Sequence, residues 1–382
     1  MTSPRTIVFL VSSMHHGGAE RVAAHMVNAW AARGDNVTLI VTYSGGGRSS
    51  FPISHRVKVV VLADVIRGKG RGLHLYWKRF WTLRKLLGAS RPDCIVSFLT
   101  NVNVTAVLAN IGLGYRLLVS ERNYPPLSPP PWPYAVMRRL TYPFASKVVM
   151  LSTEGLQWLE TNIPRAQGVT IPNPVALPLP QGYPELDPSR YIGAEQRVIL
   201  AVGRLEPQKG FDMLLEAFAL LSPRQPNWHL VLLGEGKMRG SLEASIESLN
   251  LNDRVKLPGR AGNMSSWYRR ADVYVLSSRY EGFPNTLLEA MAHGCPSVSF
   301  DCDTGPRSII RHEIDGLLVK PCDVAALARA LEQLAKDGEK RARMSKAATE
   351  VRLRYSLDRI VADWDMLLDA SAEARQVEEG LR

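Results

Sequence analysis

The fold is decided by a stretch in the C-terminal half: Val273-Tyr274-Val275-Leu276, then Ser278-Arg279-Tyr280-Glu281-Gly282-Phe283-Pro284-Asn285-Thr286-Leu287-Leu288-Glu289, then Ser297-Val298-Ser299-Phe300. Residues 273–276 and 297–300 are short apolar runs with β-branched residues, which predicts two buried strands. Between them a helix pattern begins near Pro284 and Asn285 and ends at Gly294. Strand, helix and strand in this order are typical of a parallel α/β sheet.

A helix that begins directly after a strand offers a site for an anion. If Asn285 is the N-cap, the backbone amides of residues 286–288 are free and face the end of the sheet. Glu281 precedes these amides, and Glu289 follows them by one turn. Two carboxylates around such a helix end favour a charged, hydroxyl-rich ligand such as a sugar nucleotide. For the two glutamates alone, the alternative is a loop residue and a solvated helix face.

A second motif, Gly203-Arg204-Leu205-Glu206-Pro207-Gln208-Lys209-Gly210, follows a predicted strand at residues 198–202. Gly203 permits a tight turn. Arg204 can bind two oxygens in fork geometry, and Lys209 supplies a point charge, so the pair suits a pyrophosphate. The G-x-x-x-x-G-K-[ST] order of a P-loop is missing, and taken alone the two cations could be solvated surface residues.

The N-terminus repeats the same plan. A strand at residues 6–11 runs into His15, His16, Gly17 and Gly18, and a helix and a second strand follow, which predicts the opening of a doubly wound sheet. The paired glycines let a ligand approach the backbone closely at the helix N-terminus. A G-x-G-x-x-G fingerprint is absent. His16 is a candidate catalytic residue, although a loop histidine is more often simply solvated.

The positive charge of the chain is placed unevenly. The formal net charge is +11; residues 1–190 carry 21 Lys and Arg against 9 Asp and Glu, whereas the remainder carries 26 against 27. A basic N-terminal half attracts nucleic acid, an anionic membrane surface or a pyrophosphate-linked substrate. The four cysteines show no C-x-x-C spacing, so we expect reduced thiols and no metal site.

The basic residues concentrate between Arg67 and Arg91, where eight of them occur without an acidic residue. Apolar residues recur there at helical spacing, which predicts a basic amphipathic helix suited to an anionic bilayer. The alternative is a helix packed on the sheet with a solvated basic edge. The residues expected on the acceptor or membrane side are Trp77, Lys78, Arg79, Glu121, Arg122 and Asn123.

The stretch from Glu281 to Pro296 resembles the E-x7-E motif of the retaining glycosyltransferases of family 4, and residues 203–210 resemble the G-R-x-x-x-x-K-G signature of the same family. The resemblance implies the GT-B fold, an α/β architecture of two Rossmann-like doubly wound domains facing across a cleft, with a C-terminal helix that crosses back to the first. The expected parts are an acceptor-side domain (1–172), a linker (173–195), a donor domain (196–354), and a crossover helix and tail (355–382).

The resemblance also implies roles for individual residues. Glu289 would bind the ribose hydroxyls and Glu281 the transferred sugar, while Arg204 and Lys209 would neutralise the leaving diphosphate. The expected catalytic residues are Glu281, Arg204, Lys209 and His16. The other residues expected to bind the donor are Gly17, Gly18, Gly203, Gly234, Pro258, Arg260, Gly282, Phe283, Pro284, Asn285, Thr286 and Leu287.

The expected function is retaining transfer of a hexose or N-acetylhexosamine from a nucleotide sugar, UDP-linked, to a glycan acceptor on a lipid diphosphate. No metal or cofactor is expected, and the location is the cytoplasmic face of the inner membrane, with an anionic membrane surface as a partner. The alternatives are transfer to a soluble small acceptor and a sugar-nucleotide epimerase of the same architecture. A nucleic-acid-binding protein would explain the charge but would leave residues 204–209 and 281–289 without a purpose.

Overall fold

The computed structural model describes residues 3–15, 17–43, 49–66 and 73–380, apart from the side chains of residues 73 and 370–380. The candidate residue His16 therefore lies outside the described residues, as does the start of the basic stretch. The chain divides into two compact units. The first unit comprises Met1–Pro174 and Leu357–Arg382, and the second comprises Val175–Ser356.

The first unit contains a seven-stranded parallel sheet in the order β3-β2-β1-β4-β5-β6-β7. Its strands are β1 (Thr6–Val11), β2 (Asn36–Val41), β3 (Lys58–Val61), β4 (Cys94–Phe98), β5 (Arg116–Ser120), β6 (Lys147–Met150) and β7 (Gly168–Thr170). Its first six helices are α1 (Gly18–Ala32), α2 (Leu62–Val65), α3 (Leu73–Ser90), α4 (Thr100–Asn110), α5 (Trp132–Thr141) and α6 (Thr153–Asn162). The strand order reverses between β1 and β4, and such a switch point is where open sheets bind ligands.

Both faces of this sheet are covered, because side chains alternate between the faces along each strand. In β1, Phe9 points into a core that includes Trp30 of α1 and Phe98. Leu10 points into the opposite core, which includes Leu83 of α3 and Val107 of α4. Both faces of β1 are therefore apolar and buried, as is typical of a strand inside a parallel sheet.

The second unit contains a six-stranded parallel sheet in the order β10-β9-β8-β11-β12-β13. Its strands are β8 (Arg197–Val202), β9 (Trp228–Leu233), β10 (Val255–Gly259), β11 (Val273–Leu276), β12 (Ser297–Phe300) and β13 (Gly316–Val319). Its helices are α7 (Phe211–Leu221), α8 (Arg239–Ser248), α9 (Met264–Arg270), α10 (Asn285–Ala292), α11 (Pro306–Ile309), α12 (Val324–Lys336), α13 (Gly338–Ala348) and α14 (Val351–Arg354). The predicted α/β class is confirmed, and here the order reverses between β8 and β11.

The N-terminus of α10 differs from the prediction in its cap. Helix α10 begins at Asn285, and Pro284 is the N-cap. The amides of Leu287 and Leu288 both donate to Pro284 O, at 3.1 and 3.2 Å. The prediction of free amides at 286–288 is therefore wrong for these two residues, because the helix begins one residue earlier than an Asn285 cap would place it.

The last helix, α15 (Leu357–Gly380), belongs to the first unit. Trp364 packs between Trp30 and Phe98, with ring centroids 6.5 and 5.9 Å away. Asp365 accepts hydrogen bonds from Arg5 Nη2 at 3.0 Å, from Arg33 Nη2 at 2.8 Å and from the Trp30 indole at 3.2 Å. The predicted return of a C-terminal helix to the first domain is confirmed. The backbone stays helical to Gly380, so the expected tail is part of this helix.

Candidate active site

Glu281 and Lys209 form an ion pair at the carboxyl edge of the second sheet. They lie on the loops that follow β11 and β8, and these two strands are hydrogen-bonded neighbours. Lys209 Nζ donates to Glu281 Oε1 at 2.5 Å, and Ser278 Oγ donates to the same oxygen at 2.6 Å. The two charged side chains are 14% and 7% exposed. Glu281 Oε2 accepts no hydrogen bond from a described residue, so it remains available to a ligand.

The two loops are held together by backbone contacts. Arg279 N donates to Gln208 O at 2.8 Å, and Ser277 Oγ donates to Lys209 O at 2.9 Å. Gly210 has a φ of +61°, and a Cβ at this position would lie 2.1 Å from Ser277 O. Only glycine meets both conditions without strain. Gly210 therefore allows the loop of Lys209 to pack directly against the end of β11.

Arg204 extends into solvent from the same pair of loops. Its Nη2 donates to Gln208 Oε1 at 3.3 Å, and Gln208 Nε2 donates to Tyr280 O at 3.0 Å. Arg204 has no carboxylate partner among the described residues, so its guanidinium is free to bind an anion. Arg279, in contrast, is bound through two nitrogens to Asp212, and this hydrogen bonding lowers the pKa of the Asp212 carboxyl.

Glu289 lies on α10 and is 5% exposed, so it is not part of a solvated helix face. Its Oε2 accepts a hydrogen bond from Tyr268 Oη at 3.1 Å. The neighbouring Tyr274 donates to Thr286 Oγ1 at 2.8 Å. Burial raises the pKa of Tyr274 far above its ordinary value, and the negative charges of Glu281 and Glu289 act in the same direction.

The glycines expected at the donor site lie where backbones approach closely. A Cβ at Gly234 would lie 1.8 Å from Gly203 O, and Gly234 has a φ of +147°. Pro258 is half-buried at the end of β10, and Arg260 is exposed just beyond it. These positions border the carboxyl ends of β8, β9 and β10.

On the other side of Glu281, Gly282 is half-buried and Phe283 is buried, with its ring 5.8 Å from that of Tyr355. Thr304 donates its hydroxyl to Glu281 O. The side chains of residues 278, 208 and 304 were given no role from the sequence, yet all three position the Glu281–Lys209 loops. The available signal was a hydroxyl or amide residue on the loop that follows each of the three strands.

In the first unit, Gly17 is the N-cap of α1 and Gly18 is its first residue. A Cβ at Gly17 would lie 2.0 Å from Glu20 Oε2. Ser13 Oγ donates to the other oxygen of Glu20 at 2.9 Å. Gly17 therefore makes room for a carboxylate that turns back onto the N-terminus of α1, where negative charge is stabilised.

Glu121 follows β5 and is the acceptor of a buried hydrogen-bond network; it is 3% exposed. Thr100 Oγ1 lies 3.0 and 2.9 Å from its two oxygens, and Tyr142 Oη donates at 2.5 Å. Arg138 lies 3.6 Å from the same carboxylate. Burial raises the pKa of Tyr142 well above its ordinary value, and Glu121 contributes to this shift. Its hydroxyl is therefore a stable donor to Glu121.

Arg122 is also buried. Its guanidinium lies 4.1 Å above the ring of Phe98, Nη1 donates to Ser120 Oγ at 3.3 Å, and Nη2 donates to Asn173 Oδ1. Burial lowers the pKa of Arg122 to about 9. Only Asn123 of the three neighbouring acceptor-side candidates is exposed. Their role at an acceptor stays a prediction.

The other acceptor-side candidates lie on α3. Trp77 is 57% exposed, Lys78 is exposed and Arg79 is half-buried. Within the described ranges, no group of three or more His, Cys, Asp or Glu side chains is arranged to hold a metal ion. Of the helices in the described part of the chain, none has both the length and the apolar content needed to cross a membrane.

Two family models match the chain. Glycosyl transferases group 1 matches residues 184–351, and the glycosyl transferase 4-like domain matches residues 17–174. These two matches cover most of both units.

Similar proteins include the GalNAc-alpha-(1->4)-GalNAc-alpha-(1->3)-diNAcBac-PP-undecaprenol alpha-1,4-N-acetyl-D-galactosaminyltransferase of Campylobacter jejuni, which is 29% identical over 95% of this chain and 98% of its own. Among solved structures, sucrose-phosphate synthase of Thermosynechococcus elongatus gives a TM-score of 0.80 at 20% identity, covering 97% of this chain and 100% of its own. HepE of Anabaena in complex with UDP gives a TM-score of 0.75 at 20% identity, covering 96% and 100%. The chain belongs to the GT-B glycosyltransferases of the family 4 type.

Proposed function

We propose that this glycosyltransferase moves a hexose or N-acetylhexosamine from a UDP-sugar to a glycan carried on a polyprenyl diphosphate, with retention at the anomeric carbon and without a metal ion. The observation that carries the proposal is the Glu281–Lys209 pair on the same two loops as Arg204, which has no carboxylate partner among the described residues. A carboxylate suits sugar hydroxyls, and the two cations suit a diphosphate. The Anabaena neighbour was solved with UDP bound, which favours uridine diphosphate as the nucleotide.

In this reaction the bond between the anomeric carbon and the β-phosphate oxygen breaks, and a bond forms from the anomeric carbon to the acceptor hydroxyl oxygen. The acceptor proton passes to the leaving phosphate. Arg204 and Lys209 stabilise the negative charge that develops on the diphosphate, which supports transfer without a metal ion. Glu281 binds hydroxyls of the transferred sugar through Oε2. Glu289 binds the ribose hydroxyls of the donor.

The acceptor and its location form the second part of the proposal. The relative from Campylobacter jejuni acts, by its name, on a glycan linked to undecaprenol through a diphosphate. The excess of basic residues in the N-terminal half would attract such an acceptor and the anionic surface in which it is anchored. We therefore propose a peripheral position on the cytoplasmic face of the inner membrane.

The test is a transfer assay with purified protein, UDP-N-acetylhexosamines and UDP-hexoses, and a polyprenyl-diphosphate-linked glycan, read by mass spectrometry. Glu281→Gln should lower turnover at least about tenfold, because the amide cannot hold both Lys209 and a sugar hydroxyl as the carboxylate does. Glu243→Gln is the control, since Glu243 is an exposed residue on α8. Wild-type turnover in Glu281→Gln would remove this residue from the mechanism.

Four further measurements test the remaining parts. The anomeric configuration of the product, read by proton NMR, tests retention, and turnover in excess EDTA tests independence of a metal. Incubation with UDP-N-acetylglucosamine alone tests the epimerase alternative, because epimerisation needs no acceptor. A free glycan used as efficiently as its polyprenyl-diphosphate form would instead indicate a soluble acceptor.

A further inference from the structure

The first unit contains a cavity of about 690 Å³ beside α3. This volume is within the range of small-molecule sites, roughly 300–1,000 Å³. Its lining comes from α3, from the end of β2 and from α4, so it lies between elements of one unit. The lining is mostly apolar and includes Leu83, Leu108, Tyr43 and Phe80.

Aromatic side chains at this cavity are exposed to solvent to an unusual degree. Tyr76, Trp77 and Trp81 are 55%, 57% and 52% exposed, although all three line the cavity. The ring of Phe80 makes edge contacts with Trp77 and Trp81, at centroid distances of 6.2 and 5.7 Å. Single exposed aromatics are common, but a contiguous group around a cavity indicates a binding surface. Trp and Tyr are also the residues favoured at the boundary between lipid and water.

Two arginines line the same cavity, and they differ in their partners. Arg84 Nη1 donates to the carbonyl oxygens of Ala109 and Ile111, at 2.8 and 2.6 Å, so it caps the C-terminal end of α4. Arg79 Nε is buried without a hydrogen-bond partner among the described residues. A buried donor of this kind is costly unless a ligand supplies the acceptor. The cavity therefore combines an apolar interior with an unsatisfied cationic donor.

We propose that this cavity binds the isoprenoid segment next to the diphosphate of a polyprenyl-diphosphate acceptor, and that Arg79 contacts a phosphate oxygen. The inference rests on the proposed function, because that function calls for an acceptor with a hydrocarbon end and a diphosphate. The apolar walls match the hydrocarbon and the guanidinium matches the diphosphate. Bound there, the acceptor is held by its lipid end, and its glycan is left outside the cavity for the reaction.

The test is a binding measurement that needs no catalysis. Isothermal titration calorimetry compares geranylgeranyl diphosphate, kept below its micelle concentration, with inorganic diphosphate and with geranylgeraniol. We expect the geranylgeranyl diphosphate to bind at least about tenfold more tightly than either fragment, because only it satisfies both parts of the cavity. Equal affinity for inorganic diphosphate would contradict the inference, since the hydrocarbon would then contribute nothing.

Two variants locate the binding. Leu108→Trp fills the cavity and should weaken binding at least about tenfold, whereas Leu353→Trp makes the same change at a position that is 77% exposed in the other unit and should leave it unchanged. Arg79→Met should weaken binding of geranylgeranyl diphosphate but not of geranylgeraniol. Thermal melts check folding; if Leu108→Trp melts early, Thr105→Leu, a smaller filling change in the same lining, replaces it. Wild-type affinity in the folded filling variant would place the ligand elsewhere.

Two further comparisons distinguish this inference from its alternatives. Dihexanoyl phosphatidic acid binding as tightly as geranylgeranyl diphosphate would overturn it, because the cavity would then accept a bilayer lipid. Binding of geranylgeranyl diphosphate without any transfer to polyprenyl-diphosphate glycans would refute the proposed function and leave the cavity assignment standing. Transfer to polyprenyl-diphosphate glycans without binding of geranylgeranyl diphosphate would support the proposed function and refute the cavity assignment.

Discussion

At the scale of single residues, the candidate site depends on glycine as much as on charge. Gly210 is in the left-handed region and touches Ser277 O, so it determines how close Lys209 comes to Glu281. Lys209 precedes Gly210 directly, which means that any displacement of this turn also displaces the ammonium group. The position of one charge therefore depends on the absence of a side chain next to it.

We expect Gly210→Ala to destabilise the protein by about 1–3 kcal/mol, because the alanine must adopt a positive φ and its Cβ must displace Ser277. Turnover should fall as well, since the Lys209–Glu281 contact lengthens. Chemical denaturation and the transfer assay measure the two effects.

The control for this prediction is Gly240→Ala on α8. Nothing lies within 4 Å of a Cβ at Gly240, so the change should be neutral or stabilise by about 0.4–1 kcal/mol. Equal stability of Gly210→Ala and Gly240→Ala would show that a Cβ close to Ser277 O does not change the free energy of unfolding.

Residue types and spacings indicated which side chains carry the chemistry, but not their partners. The sequence motifs at residues 203–210 and 281–289 identified Arg204, Lys209, Glu281 and Glu289 as candidates. The hydroxyl of Ser278 on Glu281 could not be predicted, because it depends on the rotamer of a loop side chain. The burial of Glu121 could not be predicted from the sequence either, because its partner Tyr142 comes from a segment 21 residues away.

At the scale of elements, the strands were the most predictable part of the fold. Residues 273–276 and 297–300 form β11 and β12 with the predicted bounds, because buried parallel strands are continuous apolar runs. The edge strand β3 was not identified, since Lys58 and Val59 are exposed and its pattern is weak. Helix α3 was identified by its period, but periodicity alone could not reveal that it borders a cavity instead of closing the core.

One carboxylate of the C-terminal helix α15, Asp365, binds Trp30 of α1 together with Arg5 and Arg33. We expect Asp365→Asn to lower the free energy of unfolding by about 1–3 kcal/mol, because two arginines and the Trp30 indole lose a charged acceptor. Urea unfolding of the full-length protein, followed by tryptophan fluorescence, measures this loss.

Asp363→Asn on the same helix is the matched control, because Asp363 makes no hydrogen bond or ion pair within the described part of the chain. It should unfold with wild-type stability. An unchanged midpoint for Asp365→Asn would show that the charge on Asp365 does not help to hold α15, and that its apolar packing and its other contacts with Arg5 and Arg116 are sufficient.

At the scale of the whole molecule, the excess of basic residues in the N-terminal half leads us to predict binding to anionic membranes. Lys78→Glu with Lys85→Glu should weaken binding to vesicles that contain anionic lipid at least about tenfold, since each cation near such a surface contributes about 1 kcal/mol. Liposome flotation at low and high salt measures the effect, and binding of the wild type should fall as salt rises.

Arg343→Glu with Lys346→Glu makes the same change in charge on α13 of the second unit, where both side chains are exposed. This variant should float with the vesicles as the wild type does. Equal loss in both variants would mean that net charge, and not the face of α3, governs attachment. No binding by the wild type at low salt would exclude the membrane surface as a partner.

The return of α15 to the first unit has a consequence for how the protein is made. The core around Trp30 and Phe98 is completed by four residues of α15: Ile360, Val361, Trp364 and Leu368. Its other members are almost all encoded in the first half of the chain. During synthesis the early half emerges from the ribosome with a hydrophobic gap, and at roughly 5–20 residues per second this gap persists for about 10–40 s while the second unit is translated. Until the final helix is released, Trp30 and Phe98 are accessible to chaperones, so the unit that is synthesised first is the last to be finished.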